Sequence, residues 1–155
     1  MSPEMDTSTN PHLLQFMRRA LEIARDAKAR GNLGVAAVIV KDGQIIGQGI
    51  NREHDTGDPL THAEMEAVRD VTAQHGRSAL IGALCVVTME PCPMCASALI
   101  MCGLAEVAAG ARHVDLKPGR YGTYSFEVLA DMMGSSVRFS AGTLRADCAA
   151  TRLPL

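Results

Sequence analysis

A chain of 155 residues is long enough for one domain with a substantial core. Hydrophobic residues make up 47% and charged residues 21%, the balance of an ordinary globular protein. The formal charge of −2 offers no electrostatic reason to expect a nucleic acid or a membrane as the main partner, so nucleic acid is not expected to bind.

Residues 1–10 are polar, read as a flexible tail, and lack the basic-then-apolar order of a signal peptide; no apolar run is long enough to span a bilayer. The cytoplasm is the expected compartment. Asn10-Pro11 is a helix start, with asparagine at the cap and proline at the first helical position. Apolar residues then recur at helical spacing (Leu13, Phe16, Met17, Ala20, Leu21, Ala24, Ala27) until Gly31 stops the helix. Val35 to Val40 is a β-branched run, Asp42-Gly43 a tight turn, and Gln44 to Ile50 the returning strand of a hairpin. A loop rich in Asp, Gly and Pro covers Asn51 to Thr61, and His62 to His75 is helical. Leu84 to Thr88 is a buried strand, Pro93 to Cys102 a short apolar helix, and Ala105 to Ala109 another strand. A second polar loop runs from His113 to Thr123, followed by a helix over Tyr124 to Met133 and a last strand over Val137 to Ser140. The alternation describes an α/β layered domain with a mixed sheet.

The chemistry is concentrated in His62-Ala63-Glu64 and Pro91-Cys92-Pro93-Met94-Cys95. One imidazole and two thiolates, His62, Cys92 and Cys95, supply three zinc ligands and leave a fourth position for water, the mark of a catalytic site. Glu64 is too close in sequence to His62 to be an ordinary fourth ligand but is well placed to handle protons. Two other readings of Cys-x-x-Cys compete. A dithiol redox centre opening a helix has the same spacing, but has no use for the upstream His-x-Glu. A structural zinc site needs a fourth ligand, and His54, His75, His113 and Cys85 all stand away from ligand spacing. Cys85, Cys102 and Cys148 read as small buried hydrophobes. The total of five cysteines argues against a fully paired disulfide framework.

On these motifs the chain resembles the cytidine deaminase superfamily, in the branch of bacterial guanine deaminases, fungal-type cytosine deaminases and tRNA adenosine deaminases. Asp58-Pro59-Leu60-Thr61-His62-Ala63-Glu64 and Thr88 to Cys95 carry the resemblance. It implies a three-layer α/β/α sandwich around a five-stranded mixed sheet, one zinc ion per chain, and a single domain over residues 11–155. It implies hydrolytic deamination of an amino-substituted N-heterocycle, with Glu64 as proton shuttle. Asn51, Ala63, Glu90 and Pro91 match positions that contact the base in such enzymes, and His113-Val114-Asp115 is similar to a His-x-Asp element of guanine deaminases. Tyr121 is a candidate stacking lid, and Tyr124 an alternative. Two departures are Gly34-Val35-Ala36-Ala37 in place of Pro-x-Gly-Ala, and a segment after Cys148 that lacks the long basic helix of tRNA-acting relatives. The expected substrate is therefore a free base such as guanine or cytosine, or a close analogue, with a tRNA adenosine deaminase or a nucleoside deaminase as the alternative. A non-catalytic, zinc-stabilised binding module is the rival from another class. The apolar helix Pro93–Cys102 is expected to form a homodimer interface.

Overall fold

A computed structural model describes residues 10–154, so the expected tail, apart from Asn10, lies outside the described residues. Asn10 caps the first helix, α1 (Pro11–Ala29), its Oδ1 accepting from the His12 and Leu13 amides at 3.0 and 3.3 Å. The apolar stripe from Leu13 to Ala27 faces inward and is buried throughout. Strands β1 (Ala36–Lys41) and β2 (Gln44–Ile50) pair antiparallel. Their turn residues Asp42 and Gly43 are both left-handed, at φ 51° and 75°, as a two-residue hairpin requires.

One helical turn, α2 (Glu53–Thr56), interrupts the following loop before α3 (Ala63–His75). A 3₁₀ turn (Arg77–Leu80) leads to β3 (Leu84–Met89), α4 (Pro93–Met101) and β4 (Glu106–Ala111). The chain ends its described course with a single turn α5 (His113–Leu116), α6 (Phe126–Met132), β5 (Arg138–Ala141) and α7 (Arg145–Arg152). The sheet order is β2-β1-β3-β4-β5. The hairpin side is antiparallel, whereas β3, β4 and β5 are parallel and joined by helical crossovers. Helices α1 and α7 pack together on one face, and α3, α4 and α6 on the other, which is the expected three-layer sandwich with a five-stranded mixed sheet.

Close packing on the second face depends on glycine. A Cβ at Gly49 would lie 2.3 Å from the Ala63 carbonyl oxygen and 2.4 Å from the Ala67 amide nitrogen. Backbone of α3 therefore rests directly on β2, and this seats the first turn of α3 at the end of the sheet.

Three features differ from the sequence reading. Helix α6 starts at Phe126, because Ser125 caps it by accepting from the Val128 amide, which leaves Tyr124 outside the helix. Helix α7 continues past the last expected strand; it is short, and Leu144 opens it in the left-handed region without a side-chain cap. Helix α4 is not buried all round: Cys95, Ala96 and Leu99 face inward, but Met101 is 79% exposed.

Candidate active site

The ends of four elements meet at one edge of the sheet. β2 ends at Ile50, so that Asn51 follows it; α3 starts beside it, with His62 at the cap and Glu64 in the first turn. β3 ends at Met89 and delivers Glu90, Pro91 and Cys92, and Cys95 sits in the first turn of α4. The carboxyl ends of parallel strands and the amino ends of helices together form a crevice whose helix termini favour negative charge.

His62, Cys92 and Cys95 present ligand atoms within 4.8 Å of one another. The Nδ1 of His62 lies 3.5 Å from the Cys92 sulfur and 3.6 Å from that of Cys95. Zinc bonds of roughly 2.3 Å to sulfur and 2.05 Å to nitrogen, at a tetrahedral angle, would separate those atoms by about 3.6 Å. The trio thus fits zinc with one position left open. Hydrogen bonding with Cys95 lowers the Cys92 thiol well below its ordinary range, against the opposing effect of burial. The bond with Cys92 and burial hold Cys95 protonated, so in the absence of a cation the pair shares a proton. A divalent cation among these atoms favours both thiolates.

Glu64 is 4% exposed, and its carboxyl is raised to about 7, first by burial and then by the Cys92 charge. It lines the crevice with His62 and Cys92, close enough to the thiols for their charges to influence one another. A carboxyl poised there can take up and return a proton near neutral pH.

The remaining expected contacts divide. Asn51 and Tyr121 line the crevice with His62, Glu64 and Cys92. Asn51 is locally engaged, its Oδ1 accepting from the Glu53 amide at 3.0 Å and its Nδ2 donating to Glu53 Oε1 at 2.9 Å. Tyr121 stands edge-on to His113, with centroids 5.0 Å apart. Ala63 is buried at the start of α3, against Gly49. Pro91 is also buried, and its carbonyl accepts from the Tyr124 hydroxyl, so Tyr124 is a strut and not a lid. Glu90 lines the crevice, but its side chain is committed elsewhere: it accepts from Arg112 and from the His113 and Phe126 amides. Arg112 in turn grips Glu127 at 2.6 and 2.8 Å. Asp115 is not brought into the crevice; it accepts from the Arg112 amide at 2.7 Å and pairs with Arg145 at 3.5 Å. Of the departing segment Gly34 to Ala37, Val35 lines the crevice.

Several residues were not singled out in the sequence: Glu53, Lys117, Arg120 and Arg152 all line the same crevice. Lys117 and Arg120 lie in a polar loop whose fold the sequence does not indicate. Arg152 arrives only because α7 exists, and α7 is held to α1 by Lys28 donating to the Ala150 and Leu153 carbonyls. A larger groove of about 780 Å³ runs along β2 between α1 and α3. Its charges are paired with one another (Arg19–Glu22, Arg30–Asp26, Arg69–Glu66) and it holds no metal-binding trio, so the smaller crevice is the site.

Residues 11–111 match the cytidine and deoxycytidylate deaminase zinc-binding region. The chain belongs to the cytidine and deoxycytidylate deaminase family. It is a zinc-dependent hydrolytic deaminase, and His62, Cys92 and Cys95 are the residues that can hold its metal ion. Among family relatives, tRNA-specific adenosine deaminase from Streptococcus pyogenes serotype M1 is 33% identical, over 86% of this chain and 77% of its own. The protein of that name from Haemophilus influenzae is 35% identical over the same shares. A solved structure of a tRNA:A34 deaminase, from work on A-to-I editing at the wobble position of transfer RNA, superposes with a TM-score of 0.77. It is 30% identical, and the match covers 88% of this chain and 98% of that one.

These relatives overturn the expectation of a small-molecule substrate and no nucleic acid. The physical reason is that net charge averages over the surface, whereas Lys117, Arg120 and Arg152 gather at one crevice. No helix among the described residues is long and apolar enough to cross a membrane.

Proposed function

We propose that this deaminase converts adenosine to inosine in tRNA. The observation that carries the reading is the cationic rim. Lys117, Arg120 and Arg152 line the crevice, and among the described residues none of the three forms a salt bridge. Burial and the neighbouring Arg120 pull the Arg152 guanidinium downward from its ordinary range, against the opposing influence of Tyr121 and Glu53, so the two guanidiniums stand near each other at the crevice. A neutral free base has no use for such a rim; a phosphodiester does. The crevice itself is about 190 Å³, below the roughly 300 Å³ at which sites for drug-sized ligands begin. A single base fits inside while the backbone that carries it stays on the rim, as base-extruding enzymes require.

Zinc, when bound, supplies the Lewis acidity that makes water a nucleophile at neutral pH. Glu64, buried beside the metal position, would accept a proton from the attacking water and return protons to the ring nitrogen and to the departing ammonia. Water enters as the new carbonyl oxygen, and the exocyclic amine leaves as NH₃. Asn51 and Tyr121 line the crevice that receives the base, Ala63 and Pro91 are buried next to the ligands His62 and Cys92, and Glu90 holds the His113 amide in place beside it. Homodimer formation through α4 is part of the proposal, since Met101 leaves an apolar flank on that helix open. Reduced cysteines and a tRNA substrate make the cytoplasm the compartment.

Exchanging Arg120 and Arg152 for alanine tests the rim. The double variant should retain zinc, raise KM for tRNA at least tenfold, and flatten the dependence of log affinity on log salt by about two contacts' worth. An unchanged salt slope and KM would leave the rim without a role.

A further inference from the structure

We propose that Glu53 is a positioning residue that fixes the zinc ligand His62 and the crevice residue Asn51 from a single carboxylate oxygen. The inference rests on the zinc trio and not on the choice of substrate. His62 turns Nδ1 toward both thiols, so Nδ1 is the nitrogen that ligates. In a neutral imidazole the proton must then sit on Nε2. Nε2 lies 3.1 Å from Glu53 Oε1, on the side of the ring away from the thiols. The same oxygen accepts from Asn51 Nδ2 at 2.9 Å.

Among the described residues, the ring's polar contacts are those with the two thiols and with Glu53. His62 occupies the cap position of α3 but makes no side-chain capping bond, so among the described residues its ring nitrogens are engaged by the thiols and by Glu53. Glu53 is itself anchored. Its amide donates to Asn51 Oδ1 at 3.0 Å, and the loop that carries it is closed by the Arg52 amide donating to the Thr61 carbonyl at 2.9 Å. The loop from 51 to 61 therefore spans from the end of β2 to the start of α3, with Glu53 as the side chain that crosses to the metal ligand. A carboxylate on the far nitrogen of a ligating histidine fixes its tautomer and orientation and raises its basicity, and losing such a partner typically weakens metal binding 10- to 100-fold. Glu53 is 37% exposed and His62 25%, so water competes for this bond, and the lower part of that range applies.

The test compares wild type, Glu53→Gln and Glu53→Ala as full chains. Zinc affinity is read by competition with a chromophoric chelator, and the melting temperature of each metal-free protein is recorded beside it. Glutamine keeps an oxygen that accepts from Nε2–H but lacks the charge; alanine has neither. The proposal predicts an affinity order of wild type, then glutamine, then alanine, with alanine about tenfold or more below wild type and the metal-free melting temperatures unchanged. Equal zinc affinity in all three proteins overturns it. So does a loss of affinity that follows a fall in metal-free stability, because Glu53 would then merely support the loop. Deaminase activity is not needed for either result, so failure here leaves the tRNA reading standing, and failure of that reading leaves Glu53 standing.

Discussion

Burial makes the Glu64 carboxyl useful, and it also destabilises the ionised form. The carboxyl is raised from 4.5 to about 7 in the folded chain without metal. The folded state therefore binds more protons than the unfolded one between those values, and stability of the metal-free protein falls as pH rises through that window and levels off above it. Glu64→Gln removes the dependence. The metal-free variant should match wild type near pH 4.5 and exceed it at pH 8, as urea unfolding at the two pH values would show. With zinc loaded, the same variant should keep its metal and lose turnover by about 10²- to 10⁴-fold; wild-type turnover would remove Glu64 from the mechanism. A second residue-scale consequence lies behind the site. Glu90 is 3% exposed and depends on Arg112, so Arg112→Ala leaves a buried charge unpaired and should destabilise the fold by about 3–5 kcal/mol, measurable by denaturant unfolding. His62, Glu64, Cys92 and Cys95 were legible in the sequence because metal ligation demands particular residue types at particular spacings. Glu53 was not, because a carboxylate in a polar loop looks like any solvated charge until the loop folds back.

Elements with strong periodicity or obligatory turn chemistry follow the sequence closely. The α1 stripe, the Asp42-Gly43 hairpin and the parallel strands all fall where apolar pattern and left-handed residues require them. What escapes is set by contacts distant in the chain. Helix α7 has no capping side chain and spans only Arg145–Arg152; packing on α1, β3 and β4 stabilises it, and Gly110 permits the approach, since a Cβ there would meet the Cys148 sulfur at 2.3 Å. Asp115 stands outside the crevice lining, and its motif is too short to tell a crevice residue from one that satisfies the Arg112 amide. At the other face, Gly49→Ala should push α3 away from β2. Overpacking of this kind costs about 1–3 kcal/mol, and because α3 carries His62 and Glu64, zinc affinity should fall together with stability. Chelator competition and thermal unfolding of the same sample check both; a variant with wild-type values would mean that α3 is not seated by that contact.

For the molecule as a whole, overall charge was a poor guide to partner. A net −2 hides a crevice rimmed by three cations, which come from two segments far apart in sequence, the loop after α5 and the end of α7. The zinc centre defines the reaction, and on the proposed reading the rim meets the backbone that carries the base. The most direct measurement incubates the zinc-loaded protein separately with tRNA and with free adenine, guanine and cytosine, reading inosine by nucleoside analysis of the RNA and ammonia from the bases. The account predicts inosine in tRNA, abolished by Glu64→Gln, and no appreciable ammonia from any free base. Rapid ammonia release from a free base with no inosine in tRNA would contradict it.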